Sequence, residues 1–384
     1  MSLNSAFTFS IYESVKQLPT QWNSLASSNI FLTTRFLEVL EESAPQNMSC
    51  FYIGIFKGNN LIGIAIAQFL DLNRLESFGE RDKCIKTAVR NFLFRNFCSH
   101  VLFIGNNMLT GQNAFEFSPT IDPKKAIHQL HLATNEIKNI LRKQKKKVHI
   151  TTIKDFEPTD CSLFETAEFD SFYKFSTQPN MVFCSCEHWS NFDDYVNDLS
   201  KKYRDQYKRC RKKAEGIHKQ KMSLNDIITH EETIYDLYHH VAKNAPFNTF
   251  FLAKNHFRVL KEKLQDHFLF YGYFENNQLI GFNTLIKNGS QMDTYFLGYD
   301  ENVQREKMLY LNMLYDMIAY SINKGFKEII FARTALEIKS SVGAKPEEMF
   351  GFIQHSNPLL NKKMEQLFCY LEPKKEWKQR SPFK

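Results

Sequence analysis

The chain has 384 residues and a mass of 45.2 kDa, enough for two domains of ordinary size. With 43% hydrophobic and 24% charged residues, and only 14 Gly and 11 Pro, it is neither disordered, collagenous nor low in complexity. No apolar run reaches the ~18 residues that cross a membrane, which leaves peripheral contact as the one kind of membrane association open to it.

The N-terminal residues MSLNSAFTFS lack a basic stretch followed by a long apolar one. No secretory signal is expected, and the chain reads as cytoplasmic. The eight cysteines include no CxxC pair. Cys184 and Cys186 are expected to share one face of a strand, as reduced thiols and not as metal ligands.

A helix is expected at 32–43. A hairpin follows over Tyr52–Gly63, with alternating apolar residues around a polar turn of Gly and Asn. Next come a strand at 101–105, a helix at 123–144 and a strand at 148–153. A strand–helix–strand of this length implies a parallel crossover. The basic end of that helix, RKQKKK (142–147), complements the helix dipole.

Near Pro179 the pattern starts again. A helix over 190–214 carries Phe192, Tyr195, Val196, Leu199, Tyr203 and Tyr207 at three- and four-residue spacing, so one stripe is expected to be buried. Residues 201–221 hold ten Lys or Arg against Asp205 and Glu215. This local charge of +8 accounts for the whole net charge of +7. Lys202, Arg204, Lys208 and Arg211 are candidate contacts to phosphate, on a tRNA or another phosphate-containing ligand. After a helical stretch at 234–265, a hairpin over Phe270–Gly281 repeats the first at a constant offset of 218 residues. Gly54, Phe56, Asn59, Leu61, Ile62 and Gly63 match Gly272, Phe274, Asn277, Leu279, Ile280 and Gly281. A strand at 293–299, a helix at 306–323 and a strand at 327–333 complete the copy. The expected fold is α/β, with two tandem units at 1–178 and 179–384, each a mixed twisted sheet flanked by helices.

This order of elements resembles the GNAT acyltransferase fold. Two such units in tandem resemble the FemAB-like transferases and the related predicted N-acyltransferases of bacteria. The resemblance spans roughly residues 7–372. It is carried by FLTTRFLEVLEES (31–43), LSKKYRDQYKRCRKKAEG (199–216) and ARTALEIKSSVGAKPEEMFGF (332–352), in that order. It implies two GNAT-like units and N-acyl transfer to an amine-bearing acceptor, such as a cell-wall precursor, a peptide or a lipid. It also implies no permanently bound cofactor and an acyl donor that is either aminoacyl-tRNA or acyl-CoA.

The resemblance further places the chemistry between strands 293–299 and 327–333. Asp293 and Tyr295 share one strand face, and either is a candidate to take the amine proton. Arg333 ends the neighbouring strand, where open α/β sheets place ligand contacts, or else it pairs with Glu337. GNAT enzymes hold the CoA pyrophosphate on a glycine-containing loop that enters the next helix. Here 300–313 keeps Gln304 and Arg305 as candidate cofactor contacts but neither glycine, which places acyl-CoA second. Many GNAT enzymes have a Tyr four residues after an Ala and four before a Gly. Lys339 takes that place between Ala335 and Gly343 and is the candidate catalytic cation. By its helical position alone it is an exposed lysine whose replacement spares the fold. Two rival readings are an acyl-CoA-dependent N-acetyltransferase and a non-catalytic RNA- or anion-binding protein.

Overall fold

The computed structural model describes residues 6–74, 97–244, 248–366 and 377–384. The chain divides into two compact units. The first takes Met1–Thr177, Thr249–Ala253 and Glu348–Lys374; the second takes Gln178–Asn248, Lys254–Glu347 and Lys375–Lys384.

In the first unit, strand β1 (Phe7–Tyr12) is followed by helix α1 (Thr34–Glu42) and the hairpin β2 (Met48–Lys57) and β3 (Asn60–Asp71). Then come β4 (His100–Ile104), β5 (Phe115–Phe117), α2 (Pro123–Lys143), β6 (Ile150–Phe156) and β7 (Tyr173–Ser176). Among the described residues the sheet order is β1-β2-β3-β4-β6-β15-β7, with β5 on β3; β15 is Phe350–His355. Strands β4 and β6 are parallel, Val101 opposite Ile150, with α2 as the crossover between them. Asp122 caps that helix by accepting from Lys124 N–H, and Pro123 fits its first turn, where its missing N–H costs nothing. Ala126, Ile127, Leu130, Ala133, Ile137 and Leu141 form its buried stripe.

The second unit holds β8 (Asn180–Cys184), α3 (Phe192–Asp198), α4 (Lys201–Lys213), β9 (His218–Lys221), α5 (Glu231–Asn244) and α6 (His256–Leu264). It continues with β10 (Phe268–Glu275), β11 (Gln278–Asn288), β12 (Gln291–Tyr299), α7 (Glu301–Lys307), α8 (Leu309–Asn323), β13 (Glu328–Ile330), α9 (Leu336–Ser340) and β14 (Lys345–Glu347). Its sheet order is β14-β8-β13-β12-β11-β10-β9, and β12 and β13 are parallel.

The internal repeat has a physical basis in the two hairpins. Each contains a register shift at the same place, between Ile55 and Phe56 in one and Tyr273 and Phe274 in the other. The turns share a left-handed residue, Gly58 at φ 60° and Asn276 at φ 50°. A Cβ on Gly54 would meet Phe56 and Leu61, and one on Gly272 would meet their counterparts Phe274 and Leu279. The matched glycines leave room for the matched phenylalanine that folds back over the strand.

Four sequence expectations need correction. The helix expected over 190–214 is two helices, because Leu199 and Ser200 are extended. That break is fastened by the C-terminal segment: Ser200 N–H donates to Pro382 O at 2.8 Å, and Leu199 bridges Phe383. The stripe itself is as expected, with Tyr195, Leu199 and Tyr203 buried and Phe192, Val196 and Tyr207 packed beside them. The helix at 306–323 is interrupted at Met308, which is left-handed at φ 51°. The stretch 234–265 contains two helices, α5 and α6, and part of it lies outside the described residues. Finally, residues 348–366 return to the first unit, where β15 pairs with β6 and β7. Cys184 ends β8 and Cys186 lies past it, both exposed; Cys84 and Cys369 lie outside the described residues. No described helix is long and apolar enough to cross a membrane.

Gly298 fixes where α5 crosses β12. A Cβ there would lie 2.5 Å from the Phe282 ring and 2.6 Å from the α5 backbone at Leu237 and Tyr238. Gly298→Ala is expected to cost about 1–3 kcal/mol through overpacking. Thermal unfolding checks this, and an unchanged midpoint would show that α5 can slide without cost.

Candidate active site

Strands β12 and β13 pair only over Gln291–Asp293 and Glu328–Ile330, although β12 runs on to Tyr299. Beyond that point Thr294 Oγ1 donates to Ile330 O at 2.9 Å, and the residues from Thr294 to Leu297 are half-buried. The register of β11 on β12 shifts between Asn283 and Leu285, and Thr284 Oγ1 donates to Phe296 O at 2.6 Å. The outer half of β12 is therefore free of a β13 partner. The two strands between which the resemblance places the chemistry thus part after Asp293 and Ile330.

After β13 the chain makes a turn of unusual conformation. Ala332, Thr334 and Ala335 are left-handed, with φ of 58°, 66° and 47°. Each costs about 1 kcal/mol without compensation. The compensation comes from Lys339. Its Nζ donates to Phe331 O at 2.6 Å, Ala332 O at 3.3 Å and Arg333 O at 2.6 Å. Lys339 is 4% exposed, which corrects the expectation of a surface lysine. Burial pulls its pKa down to about 7, while the three carbonyl oxygens favour the charged form. All three ammonium donors are spent on the backbone, so Lys339 acts on the turn. Gly343 completes the spacing for its own reason. Its φ is +105°, and a Cβ would strike Phe383 at 2.6 Å.

Asp293 lies at the last paired position of β12. It is 8% exposed, and Oδ2 has no hydrogen-bond partner among the described residues. Burial raises its pKa to about 7, opposed by a hydrogen bond from Asn288. A carboxyl near neutrality is suited to accepting a proton from an ammonium. Tyr295, two residues on, hydrogen-bonds through its hydroxyl to Nε2 of His256 at 2.9 Å, and the two rings stack at 5.8 Å. Burial pushes the phenol pKa up, so this hydroxyl stays protonated at neutral pH. His256 is fully buried at the start of α6 and was not anticipated. It belongs to no motif, and only the fold brings it to a residue 39 positions away.

Arg333 is half-buried within the turn, and burial lowers its pKa to about 10. Glu337 is not its partner. That carboxylate accepts from Arg380 at 2.9 Å and from the Lys378 N–H at 3.1 Å.

The basic helix α4 has two sides. Its inner side supports the turn: Gln206 Nε2 donates to Ser341 Oγ at 3.4 Å, and Tyr195 of α3 donates to Val342 O at 3.0 Å. Arg211 belongs to this inner side. It donates to Asn312 at 3.0 Å, pairs with Asp316 at 2.8 Å and lies against the Tyr207 and Tyr315 rings. Tyr273 also donates to Asp316, at 2.8 Å, and Lys219 stands 3.7 Å from it. Arg211 is thus a structural cation and not a free phosphate contact. Arg204 is half-buried and donates to Asn197 O at 3.3 Å. Lys202 and Lys208 are exposed, beside Lys201, Arg209, Lys212 and Lys213.

At the start of α7 the Asp300 carboxylate accepts from Asn302 N–H at 2.8 Å and Val303 N–H at 3.4 Å. The helix that follows Gln304 and Arg305 is α8, which begins after left-handed Met308 and has no side-chain cap. Arg305 is mostly exposed and pairs with Glu301 one turn away, and Gln304 is half-buried in the same short helix.

A family model described as FemAB-like, peptidoglycan biosynthesis and recognition, matches residues 111–380. The chain belongs to the FemAB-like family. Among solved structures it is similar to FemX, with 12% identity, a TM-score of 0.53 and coverage of 93% of this chain and 99% of that one. It is also similar to a tandem GNAT protein from the clavulanic acid biosynthesis pathway, with 9% identity, a TM-score of 0.51 and coverage of 92% and 99%. At these identities the likeness establishes the fold: two GNAT-like α/β units. No curated protein matches the chain. As a FemAB-like protein it is an acyltransferase, which moves an acyl or aminoacyl group to an amine acceptor.

Lys339→Met tests the turn. Three carbonyls lose their donor, and the expected destabilisation is about 2–4 kcal/mol. Lys339→Arg should not restore it, because the planar guanidinium cannot fill a cage built for a point charge. Denaturant unfolding measures both variants, and wild-type stability in Lys339→Met would remove the lysine from this role.

Proposed function

We propose that the donor is an aminoacyl-tRNA and the acceptor an amine on a peptidoglycan precursor, with the reaction taking place in the cytoplasm. What supports the choice of donor is the stretch from Gln304 into α8, which holds no glycine to let a pyrophosphate approach the backbone. Arg305 to Met308 all carry side chains, which keep a pyrophosphate off the backbone there. An aminoacyl ester needs no pyrophosphate site. The exposed cations of α4 offer the phosphate contacts that a tRNA requires.

In this reading the ester carbonyl lies along the open half of β12. Asp293 takes a proton from the acceptor ammonium, the free amine attacks the ester carbon, and the C–O bond breaks as the ribose oxygen leaves with the second proton shed by the nitrogen. Tyr295, held by His256, is the hydroxyl placed to bond the reacting oxygen. Arg333 stays charged at neutral pH and balances the negative charge that develops. Lys339 serves as a positioning residue, which keeps the Arg333 backbone in place.

The donor is tested by calorimetry. Acetyl-CoA is expected to bind with a Kd above ~100 μM, less than about 5.5 kcal/mol. Aminoacyl-tRNA should bind more tightly and weaken steeply with salt. Replacing Lys202, Lys208 and Lys212 by Ala should lower that salt slope by ~2–3. Low-micromolar acetyl-CoA binding with an unchanged salt slope would replace this reading by an acyl-CoA one.

Asp293 gives a pH test. Its folded pKa of about 7 lies above the unfolded value near 4, so the folded state holds the extra proton between those values. Stability contributed by the neutral carboxyl is present at pH 4 and declines as pH rises through 7. Asp293→Asn is expected to melt higher than wild type at pH 8 and close to it at pH 4. It should also abolish a rise in kcat/KM centred near pH 7. A variant that keeps that rise would assign the base elsewhere.

A further inference from the structure

The first unit contains a surface cavity of about 340 Å³ between β1, the first turns of α2 and the segment after β6. Phe7, Lys124, Lys125, His128, Gln129, Thr166 and Glu168 line it. The first turn of a helix ordinarily favours acidic side chains, yet α2 places Lys124 and Lys125 there. Both are exposed, and neither has a carboxylate partner among the described residues. Lys125 Nζ stands 5.9 Å over the Phe7 ring. The one acidic group in the wall is already occupied. Glu168 bonds His128 through Oε1 and accepts from Thr166 through Oε2 at 2.9 Å. Gln129 is the second, independent observation. It is 8% exposed, lines the cavity, and its amide makes no hydrogen bond among the described residues. Its residue is held in place by burial while its amide is left open to a guest in the cavity.

We propose that this cavity binds a small anion carried on a compact apolar body. The two ammonium groups take the carboxylate or phosphate, the Gln129 amide bonds its polar edge, and the Phe7 ring covers the apolar part. The site lies wholly within the first unit and is independent of the donor reading, so each can fail without the other.

The test is calorimetric titration of the full chain with four probes: phenyl phosphate, benzoate, inorganic phosphate and benzyl alcohol. Phenyl phosphate or benzoate is expected to bind in the ~0.1–1 mM range. Inorganic phosphate should bind at least ~tenfold more weakly and benzyl alcohol not measurably. The stronger of the two aryl anions distinguishes phosphate from carboxylate. Lys124→Ala with Lys125→Ala should weaken binding about tenfold or more, and Gln129→Leu about threefold or more, with the unfolding midpoint kept as a check on folding. No binding of either aryl anion at 10 mM-scale concentration, or equal binding by the folded double variant, would overturn the proposal.

Discussion

The second unit depends on one buried ammonium. Lys339 binds three consecutive carbonyls at the end of β13, in a turn where three non-glycine residues are left-handed. Such a turn is not stable on local grounds, since each of those conformations is unfavourable. A buried cation without a counter-ion is unfavourable too. Together they are compatible, because the carbonyl dipoles solvate the charge and the charge holds the carbonyls. Everything else in this region then acts as support. Tyr195 bonds Val342, Gln206 bonds Ser341, and Phe383 packs against Gly343. The turn sits beside the free half of β12, which begins just after Asp293 and carries Tyr295. Conformational cost is thus concentrated next to the candidate chemistry.

Features set by local geometry were legible in the sequence. The two hairpins, their glycines and the parallel crossovers follow from alternation, turn residues and connection length, each acting within about 40 residues. The apolar stripe of the basic helices was legible for the same reason. The break within it was not, because Leu199 and Ser200 are held extended by residues near the C-terminus, almost 200 positions away. The return of β15 to the first unit was hidden likewise, since a strand's partner is a tertiary choice. At the site, the positions of Asp293, Tyr295 and Lys339 could be named, but not their states. Burial decides those states, and burial depends on what packs from elsewhere in the chain. Arg211 shows the same thing in reverse. By spacing it belongs to a polar face, yet Asp316 and two tyrosine rings draw it inward. His256 carried no sequence signal at all.

The two faces of α4 separate partnered from solvent-facing charge. Arg211 is partnered, stacked and half-buried, so its removal would expose Asp316 and loosen the contact between α4 and α8. Lys202, Lys208, Lys212 and Lys213 project into solvent, where single pairs contribute little to folding. The inner side, through Gln206, bonds Ser341 at the end of α9, the helix that carries Lys339, so the solvent-facing charge and the contacts that steady this helix lie on one element.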